Sequence, residues 1–189
     1  MKTQLITTLA SALLALPALA APIKYAPAPS SEATFEAVGK PSLLKIKGKG
    51  AVVGGNLEME GNKPKGRFEV DLNAFNTGIN LRDRHMKEKY LETAKYPKAV
   101  VEIDSLDLPA DWAPGKDAEN VKFKGKLTLK DVTKPIEGIA KINGANMATE
   151  AKFTINLQEF PVGVPSYMGV TVADAVEVQV QVPSFTKTN

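Results

Sequence analysis

The sequence predicts an all-β fold in which eight antiparallel strands close into an extended barrel that carries one short helix. From Ala33 onward, apolar and polar residues alternate with a period of two, the pattern of a strand with one buried face. Breaks rich in Gly, Pro and Asn separate these stretches, and such short connections join antiparallel neighbours. Closing the sheet into a barrel removes its exposed edges, although a two-sheet sandwich fits the same pattern.

The first twenty residues form a secretory leader by their pattern. Lys2 precedes an uncharged run from Leu5 to Leu19, and Ala18-Leu19-Ala20 has the small-x-small form that a signal peptidase accepts. We therefore expect a signal peptide over 1–20, a flexible segment over 21–32 and one barrel domain over 33–189. Export of this kind predicts a periplasmic location.

The strands follow the alternation in order along the chain. The clearest is 121–130, in which odd positions are apolar or Gly and even positions are Lys or Thr. Turn residues interrupt the rhythm at 61–64, 114–117 and 143–146. The alternation predicts eight or nine strands, at 35–38, 44–46, 53–59, 67–72, 99–103, 121–130, 136–142, 152–157 and 176–182.

One segment is predicted to be helical and one connection to be an ordered loop. Residues 80–94 are dense in helix formers, with Asn80 as a cap and Pro97 preventing continuation. We expect this helix to lie across one end of the barrel. Its packing candidates are Leu81, Met86, Tyr90 and Leu91. The connection 107–120 contains Trp112 and is expected near an opening or the surface.

The charged face of the strands indicates which way they point. Lys, Glu and Asp fill this face and only 6% of residues are aromatic, which favours a barrel with an apolar interior over an outer-membrane barrel. Small inward positions stand beside bulky phenylalanines. They are consistent with a cavity, and equally with relief of crowding where strands bend. These small positions are Gly55, Ala99, Gly125, Gly138 and Ala140.

Composition argues against several classes of function. The chain has no cysteine and one histidine, His85, which excludes thiolate chemistry and a metal site built from several imidazoles. Ser166 lacks the Gly-x-Ser-x-Gly elbow, and the net charge of +3 is scattered. We therefore expect no catalytic residues, no metal, no cofactor and no nucleic-acid partner.

Several motifs together resemble the signature of the YceI family. They occur in the family's order, and the resemblance extends from about Ala33 to Val182. The motifs are Asn76-Thr77-Gly78, Arg82-Asp83-Arg84-His85-Met86, Tyr90-Leu91, Lys95-Tyr96-Pro97, the stretch from Gly125 to Ile136, and Asp174-Ala175-Val176-Glu177-Val178.

The resemblance implies a lipocalin-like barrel that binds a polyisoprenoid lipid, such as an isoprenoid quinone, in its interior. A transient membrane contact and a homodimer are compatible with it. Arg82, Arg84 and His85 are expected to contact a headgroup or to form a structural latch. The residues expected to line the ligand are Phe35, Phe68, Val70, Val101, Ile103, Phe123, Leu127, Phe153, Ile155, Val178 and Val180.

The sequence departs from the family pattern at three places. Asp131 replaces a usual Gly and asks for a different turn, Val101 replaces a usual Phe and reshapes the interior, and 156–163 lacks an Arg found there in relatives. The competing function is a structural or stress-response barrel with a packed core and no ligand, and an enzyme ranks third.

Overall fold

The structure is a computed structural model that describes residues 21–41, 44–60, 63–167 and 169–188. The expected leader and the start of the turn expected at 61–64 lie outside these residues. In the described part of the chain there is no helix long and apolar enough to cross a membrane.

The described residues form eleven strands in one antiparallel sheet. Their bounds are β1 (Ile23–Pro27), β2 (Glu32–Lys40), β3 (Leu44–Glu60), β4 (Lys63–Asp71), β5 (Lys98–Leu106), β6 (Ala118–Leu129), β7 (Val132–Asn143), β8 (Ala148–Asn156), β9 (Ser166–Tyr167), β10 (Val170–Val182) and β11 (Phe185–Thr188).

Eight of these strands close into the predicted barrel. Their order around the ring is β3, β2, β10, β8, β7, β6, β5 and β4, and β4 returns to β3. The first part of β3, up to Val52, pairs with β2, and the part from Val53 pairs with β4. Gly50 and Gly55 adopt φ values of 97° and 125° within β3, a region that Gly tolerates best. The strands predicted at 44–46 and 53–59 are therefore one bent strand.

Two short strands extend the barrel beyond the ring. β1 lies between β3 and β11 and pairs with both. The sequence predicted a flexible segment over 21–32, whereas Ile23–Pro27 is a strand here, because its partners lie far away in the sequence at Leu57–Met59 and Phe185–Thr188.

The predicted helix is short and changes its winding. Helix α1 (Asn80–His85) continues as a π-helical turn over Met86–Tyr90. The expected cap was wrong, because Ile79 occupies the N-cap without a side-chain hydrogen bond and Asn80 is the first helical residue. We call the end of the barrel that carries α1 and the β2–β3 and β6–β7 connections the helix end. The opposite end carries the 107–117 connection and is called the loop end.

The β6–β7 connection is a two-residue turn in which Lys130 and Asp131 both have positive φ, 49° and 59°. These values define a type I′ turn, the geometry that favours Gly in hairpins. Asp131 thus occupies a position that favours Gly, and Asp tolerates the left-handed conformation better than most residues.

Candidate ligand-binding cavity

A cavity of about 600 Å³ lies inside the barrel. This volume falls within the range of about 300–1,000 Å³ typical of small-molecule sites. Strand β10 lines it from Val170 to Val182, which corresponds to roughly 40 Å along the strand and about 30 Å along the barrel axis. An eight-stranded barrel has an interior just wide enough for side chains or one slim ligand. The cavity therefore suits a long, thin molecule.

All eleven residues that the sequence placed around a ligand line this cavity. Several of them are only half-buried although they point inward, because part of their surface borders the cavity. Their contact with a ligand stays a prediction. These lining residues are Phe35, Phe68, Val70, Val101, Ile103, Phe123, Leu127, Phe153, Ile155, Val178 and Val180.

The inward glycines do not by themselves create the space. A Cβ added to Gly138 would lie 2.5 Å from the ring of Phe123, and one added to Gly125 would lie 2.3 Å from the carbonyl oxygen of Glu102. The same holds for Gly55, where a Cβ would lie 2.1 Å from a backbone oxygen. At these three glycines, rings or backbone approach too closely to leave room for a side chain. Ala99 and Ala140, the other two small positions, do line the cavity.

The loop end of the cavity is closed. Trp112 is only 3% exposed, lines the cavity and donates from Nε1 to the carbonyl oxygen of Lys116 at 2.9 Å. The rings of Phe68 and Phe185 pack edge to face with centroids 6.2 Å apart. Met147 is also buried at this end. The Trp112 connection is thus an ordered plug.

In the described part of the chain, the helix end of the cavity borders the surface on one side. Three lining residues there have large exposed fractions: 49% for Leu44, 53% for Ile79 and 41% for Leu81. We call these three residues the mouth of the cavity. The expectation that Leu81 packs into the protein was wrong, since it lies at this rim, whereas Met86, Tyr90 and Leu91 pack against the core.

The start of α1 is fixed at the mouth by Thr77. Its backbone N–H donates to Asp83 Oδ1 at 2.8 Å, and its hydroxyl donates to the same carboxylate oxygen. Arg82 donates to Thr77 from Nε and Nη2, to the hydroxyl oxygen at 2.8 Å and to the carbonyl oxygen at 2.7 Å. Asp83 is buried. These hydrogen bonds tie the start of α1 to Thr77, whose neighbour Asn76 bridges Lys49 of β3, and this is the geometry of a latch.

The other two residues of the predicted headgroup or latch set lie in different places. His85 lines the cavity near the mouth, whereas Arg84 is exposed and is not among the lining residues. Glu69 also borders the cavity, and its carboxylate accepts from the exposed Lys98 at 2.6 Å. Within the described ranges, no group of three or more His, Cys, Asp or Glu side chains could hold a metal ion.

A second fixed point at the helix end was missed by sequence reasoning. Lys130 is 7% exposed, and its Nζ donates to the carbonyl oxygens of Tyr90 at 3.1 Å and Pro161 at 2.7 Å and to Glu92 Oε1 at 2.9 Å. The Lys130 ammonium holds the pKa of the Glu92 carboxyl below its usual value. Lys130 thus joins the β6–β7 turn to the helical segment and to the 157–165 segment. In the sequence, Lys130 follows the solvated lysines of β6 in the same period-two alternation, so the pattern does not distinguish it from them.

Residues 27–183 match the sequence model of a family described as the YceI-like domain. The chain is 30% identical over 112 residues to Protein YceI of Escherichia coli O17:K52:H18, a match that covers 53% of this chain and 54% of the relative. The chain thus spans about half the length of the curated relatives it matches.

Two solved structures share the fold. One is described as a polyisoprenoid binding domain from Saccharophagus degradans implicated in plant cell wall breakdown. It has a TM-score of 0.65 at 19% identity and covers 88% of this chain and 98% of its own. The other, BcnA of Burkholderia cenocepacia, has a TM-score of 0.62 at 19% identity and covers 80% of this chain and 94% of its own.

Proposed function

The chain belongs to the family of YceI-like domains, and from this membership we propose that it is a periplasmic binding and carrier protein for long apolar lipids of the polyisoprenoid class. The single observation that carries the proposal is the apolar cavity of about 600 Å³ that lies along the inside of the barrel and reaches the exposed residues of the mouth. The description of the Saccharophagus degradans domain as polyisoprenoid binding supports this ligand class. The leader expected over 1–20 supports the periplasmic location.

The energetics of burial favour a carrier over a trap. Moving one CH₂ group out of water gains about 0.8 kcal/mol, so each five-carbon isoprene unit gains roughly 4 kcal/mol before ordering costs. A chain of a few units therefore binds tightly relative to water. Relative to a bilayer the transfer is nearly neutral, because lipid tails are already apolar. Such a protein exchanges its ligand with membranes instead of retaining it.

The two ends of the cavity suggest the orientation of an amphipathic ligand. The loop end is closed by apolar packing around Trp112. Thr77, Arg82 and His85 all border the cavity at the helix end. We therefore place the hydrocarbon tail toward Trp112 and the polar group of the ligand at the mouth, with His85 as its nearest titratable contact and Arg82 acting as part of the latch.

Uptake of a defined lipid tests the proposal. Purified protein is incubated with the polyisoprenoid alcohol geranylgeraniol added from ethanol, and the bound mass is measured by native mass spectrometry. Val178→Trp adds a large side chain inside the cavity, whereas Gln179→Trp adds the same side chain on the outer face of β10. We expect the wild type and Gln179→Trp to bind and Val178→Trp to lose at least about tenfold in affinity.

Failure of the wild type to bind geranylgeraniol would favour the competing function, a structural barrel without a ligand. Equal binding by Val178→Trp and Gln179→Trp would show that the lipid lies outside the cavity. Far-UV circular dichroism of both variants verifies that the barrel has formed.

A further inference from the structure

The mouth of the cavity combines exposed apolar side chains with an opening toward solvent. Leu44 lies at the start of β3, and Ile79 and Leu81 lie at the start of α1. Val164, in the loop before β9, is a further exposed apolar residue at this end, and its neighbour Pro165 lines the cavity. Exposed apolar side chains that cluster around an opening indicate a contact surface, unlike single ones scattered over a barrel wall.

Basic side chains surround this mouth. Between residues 37 and 57 the sequence contains four lysines, at 40, 45, 47 and 49, and no acidic residue. All four are exposed on the β2–β3 hairpin that carries Leu44. Glu36 pairs with two of them, with Lys45 at 2.8 Å and Lys47 at 3.2 Å. On the other side of the mouth, the helical segment adds two exposed basic residues, Arg84 and Lys89. Its exposed acidic residues are Glu88 and Glu92, and Glu92 is paired with Lys130.

The loop end has the opposite charge. The stretch 104–119, which includes the plug around Trp112, contains five acidic residues and one lysine, Lys116. The β2–β3 hairpin at the helix end is therefore basic, and the 104–119 segment at the loop end is acidic. An anionic surface attracts the first and repels the second. This asymmetry orients the protein before any apolar contact forms.

We propose that the protein docks mouth-first on an anionic phospholipid bilayer, with Leu44, Ile79 and Leu81 inserted among the headgroups and the hairpin lysines paired with anionic lipids. The docking site rests on the proposed function and specifies its membrane partner. A lipid then passes between bilayer and cavity without crossing water, which removes the largest barrier to exchange. The closed loop end faces away from the membrane during transfer.

Vesicle flotation tests the docking surface independently of ligand binding. The probes are vesicles of phosphatidylethanolamine with phosphatidylglycerol, and vesicles in which phosphatidylcholine replaces phosphatidylglycerol. Ile79→Asp at the mouth is compared with Ile139→Asp on the barrel wall, a matched control because both isoleucines are 53% exposed. We expect the wild type and Ile139→Asp to bind anionic vesicles, and Ile79→Asp to bind about tenfold more weakly.

Two lysine variants test whether basic side chains at the mouth contribute to binding anionic vesicles. Lys49→Gln at the mouth is expected to weaken binding to anionic vesicles about fivefold, and Lys122→Gln on the wall is expected to leave it unchanged. Leu44→Asp repeats the apolar test at a second position. Equal binding to both vesicle types, or equal loss from Ile79→Asp and Ile139→Asp, would overturn the docking surface.

Uptake of geranylgeraniol from ethanol distinguishes a failure of the docking surface from a failure of the carrier function. If the wild type takes up the alcohol but vesicle binding does not depend on the mouth, the docking surface is wrong and the carrier function stands. If mouth-dependent vesicle binding occurs without any uptake, the surface is supported and the carrier function fails. Absence of both contradicts both proposals.

Discussion

Replacing Lys130 by Met is expected to destabilise the helix end of the barrel by about 2–4 kcal/mol. The Met side chain keeps most of the apolar stem but removes three charge-assisted hydrogen bonds. Loss of the donor to the half-buried Tyr90 carbonyl contributes roughly 1–3 kcal/mol. The Pro161 carbonyl can be rehydrated and contributes about 1 kcal/mol or less. The Glu92 carboxylate is 46% exposed and stays solvated after the change.

Equilibrium urea unfolding measured by circular dichroism tests this value. For a domain of this size, a loss of 1 kcal/mol lowers the Tm by roughly 2–4 °C, so we also expect a Tm lowered by about 5–15 °C. Lys124→Met is the control, because the Lys124 side chain is 69% exposed and its ion pair with Glu137 is solvated. It should change the stability by less than about 0.5 kcal/mol. Unfolding of both variants at the same urea concentration would refute the role assigned to Lys130.

Three further predictions concern single positions. Asp131→Gly should stabilise the protein by about 0.5–1 kcal/mol in urea unfolding, because Gly adopts the left-handed conformation of the turn without strain; a loss of stability would contradict the turn assignment. Gly138→Ala should destabilise it by about 1–3 kcal/mol, because the new Cβ meets the carbonyl oxygen of Lys152 and the ring of Phe123; an unchanged urea midpoint would contradict this clash. Since Lys130 lowers the pKa of Glu92, the pair stabilises the fold above the ordinary carboxyl pKa of 4.5 and loses this contribution as the pH falls below it. Glu92→Gln should therefore be less stable than the wild type near neutral pH, and its stability in urea should fall less steeply as the pH is lowered. If the two proteins lost stability in parallel over this pH range, the effect of Lys130 on Glu92 would be contradicted.

Much of the barrel could be predicted because its information is local. The period of two in strands such as β6 shows which side chains face inward, and it correctly predicts that Phe123 and Leu127 line the cavity. The sequence pattern divides β3 in two, because Gly48 and Gly50 interrupt the alternation between 46 and 53 although both lie within one strand.

The remaining errors involve contacts between distant residues. Strand β1 is short and contains Pro27, and it becomes a strand through its pairing with β3 and β11, both distant in the sequence. Lys130 continues the alternation of the solvated lysines of β6, and the pattern therefore predicts that it is exposed. In the structure it lies in a turn with positive φ, and its side chain is buried. Leu81 lies on a helix that is too short for a periodic apolar face, so its exposure at the mouth depends on how Thr77 and Asp83 anchor the helix.

The central claim is that a lipid chain lies inside the barrel, and photolabelling tests it most directly. A polyisoprenoid alcohol that carries a diazirine group on its tail is bound to the protein and irradiated, and the labelled residues are mapped by peptide mass spectrometry. We predict labels on inward residues of neighbouring strands, such as Phe153 and Val178, with the outward Lys152 and Gln179 unlabelled. Labels confined to outward residues would contradict the claim.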